Sequence, residues 1–244
     1  MSKDIRQQLE KDELDLCCEW LKVMTMLHPC LLYTEKYNEK FEESAQKLCE
    51  QFGEEFSKLN PMKKVPMIID GDFTLTESVG ILRYLSRERN VPDHWYLADS
   101  KRQARVDEYL EWQHTNTRSN CSLYFTSKFL FPAMKGKQPN PETVARREQI
   151  MAATLNEVEN IWLNNKPYLA GDEISIADLL GACEIEQTKM AGYNPCDGFP
   201  KLSAWLERVH RDTLPHYDKV HAMVRKITEK YGDVPHPSLT KLCY

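Results

Sequence analysis

The stretch KKVPMIIDGDFTLTESVGILRYL, residues 63–85, carries the strongest fold signals in the sequence. It contains two short apolar runs, at residues 65–69 and 73–75, joined by an Asp-Gly-Asp turn at residues 70–72. An Asp-Gly step between two such runs is typical of a β-hairpin. After the hairpin, the spacing of apolar residues lengthens from two to about three and a half, which predicts a helix. The apolar face of that helix consists of Val79, Leu82 and Leu85.

Pro66 stands at the start of the first apolar run. Proline fixes its own φ and has no N–H to donate to a β-ladder, so it is tolerated at the first position of a strand. The sequence leaves a second interpretation open, in which the Val65–Pro66 bond is cis. In that case the N–H and C=O of Val65 face outward, where a peptide-like ligand can dock as an added strand.

Glu77 and Ser78 stand where the predicted helix begins. The unpaired N–H groups and the positive end of the helix dipole attract a carboxylate at such a position, and the Ser78 hydroxyl adds a donor. Lys64, just before the first apolar run, can hold a second carboxylate. The ligand that fits these features has a peptide bond in its middle and carboxylates at its ends. The alternative is that Glu77 and Ser78 simply start a helix.

The composition excludes several classes of protein. The 244 residues suffice for one large or two small domains, and the net charge of −5 argues against a general affinity for nucleic acid or acidic membranes. No run approaches the roughly twenty apolar residues of a membrane-spanning helix, and the charged residues 1–15 lack the apolar core of a signal peptide. The 8 cysteines show no C-x-x-C spacing and the 7 histidines are scattered. We therefore expect reduced thiols, a cytoplasmic location and no zinc site.

The periodicity changes near residues 90–100, and the later segments read as helices. The predicted helices cover residues 101–131, 142–163, 173–186, 199–209 and 216–231. In the third of them, Ser175 stands three residues before Asp178, as in a capping box, and Ile174 and Leu179 occupy the positions of a hydrophobic staple. The pattern supports a mixed α/β unit of about ninety residues followed by an all-helical unit.

Three segments together resemble a known family. They are NPMKKVPMIIDGDFTLTESVGILRYLSRE at residues 60–88, RVDEYLEWQHTNTR at residues 105–118 and ISIADL at residues 174–179. In this order they resemble the cytosolic glutathione transferases of the theta class, in an insect-like form. The resemblance implies a thioredoxin-like, glutathione-binding domain over residues 1–90, an all-helical domain over residues 101–232 and a flexible tail over residues 233–244. It also implies a homodimer that conjugates glutathione, as co-substrate and without a further cofactor, to small hydrophobic electrophiles.

The resemblance assigns roles to four residues around the hairpin. Lys64 faces the glycine carboxylate of glutathione, and the main chain of Val65 meets its cysteinyl unit. Glu77 and Ser78 hold the γ-glutamyl end. This assignment matches the ligand that the residues themselves describe, since glutathione is γ-Glu-Cys-Gly.

The same resemblance places Thr115 and Arg118 near the cleft. On one continuous helix these residues lie i, i+3 and share a face. The alternative for Arg118 is a solvated surface charge. Tyr124 and Phe125, further along the same predicted helix, are candidates for an apolar pocket, although an aromatic pair at helical spacing is more often part of a core.

Residues 1–50 depart from the family pattern. In the family, the first strand ends in a Ser-Gln-Pro motif whose serine hydroxyl contacts the glutathione sulfur. The nearest match here is Leu-His-Pro-Cys, which places Leu27 at the serine position. The first strand of the thioredoxin-like domain is therefore predicted to be altered or missing. Thr25, Cys30 and Tyr33 lie near Leu27 and carry polar groups, but each fits an ordinary structural role, so no residue is assigned to activate the thiol. This departure leaves an alternative open, a catalytically weak or inactive glutathione-binding or protein-association module of the same fold.

Overall fold

The computed structural model of this chain describes residues 53–231 with the exception of residue 90. The chain divides into two compact units, with the boundary between Pro92 and Asp93. Across the described part of both units, no helix combines the length and the apolar character needed to cross a membrane.

The described part of the first unit is a β-hairpin with two helices. Its elements are α1 (Glu54–Leu59), β1 (Met67–Asp70), β2 (Phe73–Thr76) and α2 (Ser78–Glu88). The strands pair antiparallel, from Met67 opposite Thr76 to Asp70 opposite Phe73. Gly71, in the two-residue turn, has φ 64°, the left-handed conformation that such hairpin turns favour. The predicted hairpin and the helix that follows it are both confirmed.

Helix α2 packs against this hairpin through one apolar face. The buried residues of that face are Val79, Ile81, Leu82 and Leu85. At the turn end, the Tyr84 hydroxyl donates to Asp70 Oδ2 at 2.9 Å, and Arg89 Nη2 lies 3.4 Å from the same oxygen. The Tyr84 ring also packs against Phe73, with 5.2 Å between ring centroids. These contacts fix the second half of α2 against the hairpin turn, so the start of α2 lies at the opposite end of the strands.

The second unit is helical throughout its described part. Its α-helices are α3 (Ser100–Trp112), α4 (Thr117–Phe125), α5 (Phe131–Lys135), α6 (Pro141–Glu157), α7 (Ile176–Glu186), α8 (Pro200–Asp212), α9 (His216–Val220) and α10 (Ala222–Tyr231). Two π-helical turns, Thr126–Leu130 and Val158–Leu163, follow α4 and α6, and 3₁₀ segments occur at Asp93–Trp95 and Gln187–Ala191. Helix α7 is central, because 10 of its 11 residues are buried and it packs against α3, α4 and α8.

The prediction of one helix over residues 101–131 is wrong. Helix α3 ends at Trp112, and a turn at residues 113–116 separates it from α4. Asn116 explains the break, because its side-chain Nδ2 donates to the Trp112 C=O at 2.8 Å and its φ of −114° and ψ of −93° are not helical. An asparagine side chain that bonds the backbone in this way competes with the helix ladder.

Two other predicted helices also differ in detail from the structure. The segment 142–163 is α-helical to Glu157 and then continues as a π-helical turn. The segment 216–231 divides at His221, which has φ −87° and ψ 5°. The ring Nδ1 of His221 lies 2.9 Å from the Tyr217 C=O, so the side chain takes part in ending α9.

The predicted capping box at the start of α7 is confirmed, and it is larger than the sequence motif. The Ser175 hydroxyl accepts from Ala177 N–H, while Asp178 Oδ2 accepts from the Ser175 N–H at 2.9 Å and from its hydroxyl at 3.0 Å. Asp178 Oδ1 accepts from Leu169 N–H at 2.8 Å and from Trp205 Nε1 at 2.9 Å. One fully buried carboxylate thus joins the start of α7 to the preceding loop and to α8.

Gly181 allows α7 to approach α3 closely. A Cβ atom at this position would lie 2.6 Å from the Tyr109 hydroxyl and 2.9 Å from Leu169 Cδ1. Both neighbours are fully buried, so neither has room to move. The contact therefore requires glycine for packing rather than for backbone conformation.

Glu159 caps α8 from a different element. Helix α8 begins at Pro200, and the side chain of its N-cap residue, Phe199, makes no hydrogen bond to the first N–H groups of the helix. Glu159, which is 6% exposed in the π-helical turn after α6, accepts from Lys201 N–H at 3.0 Å and from Leu202 N–H at 2.7 Å. A carboxylate is also favoured at this end of a helix by the dipole.

Replacing Glu159 by alanine is expected to lower the free energy of unfolding by about 2 kcal/mol, because it leaves two N–H groups of α8 without an acceptor. Urea unfolding followed by circular dichroism measures the change. Glu157→Ala, two residues earlier and less buried, is the matched control and is expected to change stability by less than about 0.5 kcal/mol. Equal effects of the two substitutions would contradict the capping role.

Candidate functional site

The hairpin register brings two groups of predicted site residues to the same end of the strands. Met67 pairs with Thr76, so Val65 and Pro66 precede one strand where Glu77 follows the other. The Val65–Pro66 bond is cis, as the second interpretation of the sequence predicted. Within the described residues, neither the N–H nor the C=O of Val65 has a hydrogen-bond partner. The main chain of Val65 is therefore available to a ligand as both donor and acceptor.

Glu77 has an unusual backbone conformation. It immediately precedes α2, with φ 69° and ψ 116°, in the left-handed half of φ space that non-glycine residues rarely enter. Its side chain does not cap the helix, although its C=O accepts from Ile81 N–H at 2.9 Å. Strained residues of this kind concentrate at ligand-binding sites. The sequence carried no signal for this strain, because glutamate has no special preference for positive φ.

Ser78 and Lys64 flank this corner. Ser78 is the first residue of α2 and is half-buried, so its hydroxyl and N–H lie at the positive end of the helix. Lys64 is exposed, and its C=O accepts from Asn60 Nδ2 at 2.6 Å. Asn60, a buried residue, also accepts from Met62 N–H at 3.1 Å, and so holds the turn that leads to Lys64. Asn60 is not among the site residues predicted from the sequence, although an Asn-Pro step is a turn signal.

Thr115 and Arg118 belong to the helical unit and do not share a helix face. Thr115 is exposed in the turn between α3 and α4, whereas Arg118 lies in the first turn of α4. The predicted i, i+3 relation on a continuous helix is therefore wrong. Arg118 is not a solvated surface charge either, since its Nε lies 3.9 Å from Oε1 of Glu184 in α7.

Glu184 is a buried carboxyl that the sequence analysis did not single out. Burial raises its pKa from an ordinary value of 4.5 to about 8, and Arg118 opposes this shift without cancelling it. Tyr124 and Phe125, proposed as pocket residues, are also buried and belong to the core of the helical unit. The Tyr124 hydroxyl accepts from Lys128 Nζ at 2.7 Å.

The thiols of the described residues are free. Cys121 is buried, and Cys183 and Cys196 are half-buried. Burial raises the pKa of the Cys121 and Cys183 thiols well above the usual range, with the nearby Glu184 carboxyl adding to both shifts. These two sulfur atoms therefore stay protonated at neutral pH.

The helical unit also contains a cavity of about 630 Å³ between the end of α7 and helices α8 to α10. Its walls include Leu206, Val224, and the stacked rings of Tyr217 and His221, whose centroids are 3.9 Å apart. Burial lowers the pKa of His221 to about 4, so its ring is neutral at physiological pH. None of the site residues predicted from the sequence lies among the cavity walls.

Several predictions lie outside the described residues. They concern Leu27 and its neighbours Thr25, Cys30 and Tyr33, the altered first strand within residues 1–50, and the tail at residues 233–244.

Comparisons with known proteins agree with the order of these elements. The glutathione S-transferase N-terminal domain family matches residues 20–87, and the corresponding C-terminal domain family matches residues 124–212. Human glutathione S-transferase theta-1 is 44% identical over 160 residues, which span 66% of this chain and 67% of the human protein. Mouse glutathione S-transferase theta-3 is 40% identical over 178 residues, which span 72% of this chain and 74% of the mouse protein.

Solved structures give the same result for the fold. The apo form of human glutathione-S-transferase T1-1 superimposes with a TM-score of 0.74 at 34% identity, covering 93% of this chain and 91% of that structure. A human theta-class glutathione transferase in complex with the glutathione conjugate of 1-menaphthyl sulfate has a TM-score of 0.70 at 33% identity, covering 79% of this chain and 82% of that structure. A thioredoxin-like N-terminal domain followed by a helical domain is thus confirmed, and the chain belongs to the theta-class glutathione S-transferases.

Proposed function

We propose that this chain is a glutathione transferase that joins the thiol of glutathione to small hydrophobic electrophiles, with no further cofactor. The observation that carries the proposal is the corner at Glu77. There a strained residue stands before the start of α2 without capping it, at the same end of the strands as Val65, whose main chain is unpaired within the described residues. The family membership of the chain supports the same conclusion.

The chemistry of this corner suits the γ-glutamyl end and the middle of glutathione. The γ-glutamyl group carries an ammonium, which the Glu77 carboxylate attracts, and a carboxylate, which the N–H and hydroxyl of Ser78 bind. The N–H and C=O of Val65 pair with the cysteinyl unit as an added strand does. Lys64 attracts the glycine carboxylate. In the helical unit, Thr115 and Arg118 are the candidates for contact with glutathione.

The reaction itself is a substitution or addition at an electrophilic carbon. The glutathione thiol gives up its proton to solvent, and the sulfur forms a bond to that carbon. In a substitution the leaving group departs with the electron pair of its own bond. In an addition the π bond breaks, and the neighbouring atom that receives its electron pair takes up a proton. The residue that promotes loss of the proton remains unassigned. Positioning of the sulfur beside the electrophile supplies part of the rate enhancement in any case.

Replacing Ser78 by alanine is expected to weaken glutathione binding about tenfold, because the variant loses a hydroxyl donor to a carboxylate. Titration calorimetry of the full chain measures the affinity, and conjugation of a chlorinated nitrobenzene measures turnover. Ser86→Ala is the matched control, since Ser86 lies in the same helix but its hydroxyl donates to Leu82 C=O at 2.8 Å. The control is expected to bind as the wild type does.

The outcomes separate the proposal from its alternative. Unchanged affinity in Ser78→Ala would reject the site. Binding that depends on Ser78, together with no turnover above the uncatalysed rate, would favour the alternative of an inactive glutathione-binding or protein-association module.

We also propose the domain limits that the resemblance implies, with residues 1–90 binding glutathione, residues 101–232 forming the helical domain and residues 233–244 as a tail. A homodimer in the cytoplasm completes the proposal. Free thiols at Cys121, Cys183 and Cys196 support a reducing compartment. Cell fractionation followed by detection with an antibody tests the cytoplasmic location. Light scattering of the purified chain tests the homodimer.

A further inference from the structure

The ion pair between Arg118 and Glu184 joins a solvent-accessible cation to a buried carboxyl. Arg118 Nε lies 3.9 Å from Glu184 Oε1, which is within the range of an ion pair but too long for a hydrogen bond. The Arg118 side chain is 29% exposed, whereas that of Glu184 is 2% exposed. An anionic ligand can therefore approach Arg118 from solvent, while Glu184 contacts Arg118 from the protein interior.

Glu184 is poorly stabilised as an anion. Its Oε2 is buried and has no hydrogen-bond partner among the described residues. Among the described residues, the titratable groups that feel its charge, apart from Arg118, are the Tyr109 hydroxyl on α3, the Cys121 thiol on α4 and the Cys183 thiol on α7. All three are neutral at physiological pH, so Arg118 is the cation identified as opposing the cost of burial. A buried carboxylate in such surroundings takes up a proton rather than stay charged.

We propose that Glu184 is a positioning residue for Arg118, and that its protonation decides how strongly Arg118 holds an anionic group of glutathione. This inference rests on the proposed function, because it takes Arg118 to be part of the glutathione site. When Glu184 is neutral, it no longer attracts the guanidinium, and Arg118 holds the ligand more strongly. When Glu184 is ionised, it attracts the guanidinium toward α7 and weakens the hold on the ligand.

Linkage makes this relation reciprocal. If an ionised Glu184 weakens anion binding at Arg118, then a bound anion must make Glu184 harder to ionise by the same factor. Burial raises the pKa of Glu184 to about 8, which places the change between neutral and mildly alkaline pH. Below that range Glu184 is neutral and binding is at full strength; above it, binding is weaker.

The test uses S-methylglutathione, whose blocked sulfur cannot ionise. Titration calorimetry from about pH 6.5 to about pH 9.5 brackets the ionisation of Glu184 and compares the wild type with Glu184→Gln, which keeps the shape of the protonated acid but cannot lose a proton. The two proteins are expected to bind alike at the neutral end of this range, and the wild type about tenfold more weakly than the variant at the alkaline end. The amino group of the ligand also titrates in this range, but it affects both proteins equally.

Two further variants sharpen the result. Glu186→Gln is the matched control, because Glu186 is also a buried glutamate of α7 but bonds Lys189 at 2.6 Å, and it is expected to keep the wild-type pH response. Arg118→Ala is expected to weaken binding at neutral pH and to abolish the effect of adding Glu184→Gln in the same chain. Circular dichroism at each pH verifies that every variant is folded.

The inference fails if the wild type and Glu184→Gln respond to pH in parallel, or if Arg118→Ala binds as tightly as the wild type. In the second case a loss of affinity in Ser78→Ala would still uphold the proposed function. Absence of binding by the wild type at every pH would instead reject the proposed function, and this inference with it.

Discussion

Replacing Asp178 by alanine is expected to lower the free energy of unfolding by about 3 kcal/mol. The carboxylate is fully buried and accepts hydrogen bonds from Leu169, Ser175 and Trp205. Burial raises the pKa of Asp178 in spite of these bonds, so part of their favourable energy only offsets the loss of hydration. Alanine removes the acceptor but leaves the donors buried, and each unsatisfied donor costs about 1 kcal/mol or more.

Urea unfolding monitored by circular dichroism measures this loss. Asp172→Ala is the control, because Asp172 is exposed in the loop before α7, and its replacement is expected to change stability by less than about 0.5 kcal/mol. Asp178→Asn is expected to fall between the two, since it keeps one oxygen but places an NH₂ group against a donor. A loss below about 1 kcal/mol for Asp178→Ala would show that the three connected segments do not depend on this carboxylate.

Replacing Glu184 by glutamine is expected to stabilise the protein at alkaline pH relative to the wild type. Glu184 ionises near its ordinary pKa of 4.5 in the unfolded chain but only at about 8 in the folded protein. Between these values the folded state holds a proton that the unfolded state has lost, so wild-type stability falls as pH rises through this range. The stabilisation that the wild type gains from the protonated Glu184 is fully present below pH 4.5 and is lost above about pH 8.

The difference in unfolding free energy between Glu184→Gln and the wild type is expected to grow by about 4 kcal/mol between about pH 5 and about pH 9, at roughly 1.4 kcal/mol per pH unit within the window. Urea unfolding at closely spaced pH values measures it. Below this window the difference in unfolding free energy is expected to be constant, because any effect of replacing the protonated carboxyl by an amide does not change with pH. A flat difference for Glu184→Gln would mean that Glu184 ionises normally in the folded protein.

The features that sequence predicted well are those decided by neighbours in the chain. The Asp-Gly turn fixes the hairpin, and the Ser175–Asp178 spacing fixes the start of α7, because each depends on bonds that span only a few residues. The register of the hairpin then follows, and with it the position of Val65 beside Glu77.

The features that sequence missed depend on how side chains meet in the folded chain. Residues 113–116 are all polar, as they can be on the exposed face of a helix, and the pattern does not show that the Asn116 side chain bonds Trp112 C=O and ends α3. Glu184 looks like an ordinary polar position of a helix until α4 brings Arg118, from a distant part of the chain, against it. Its burial is a property of the assembled helices, and no local motif reveals it.

The protonated state of Cys121 and Cys183 has a consequence for how long the enzyme stays chemically intact. A catalyst that brings alkylating agents close to sulfur exposes its own sulfur to the same agents, and each self-inflicted adduct would be permanent. Only the thiolate is a good enough nucleophile to react with these agents at an appreciable rate, so Cys121 and Cys183, which burial keeps in the thiol form, react slowly. Alkylating agents held near the site therefore react with the sulfur of glutathione in preference to the Cys121 and Cys183 thiols.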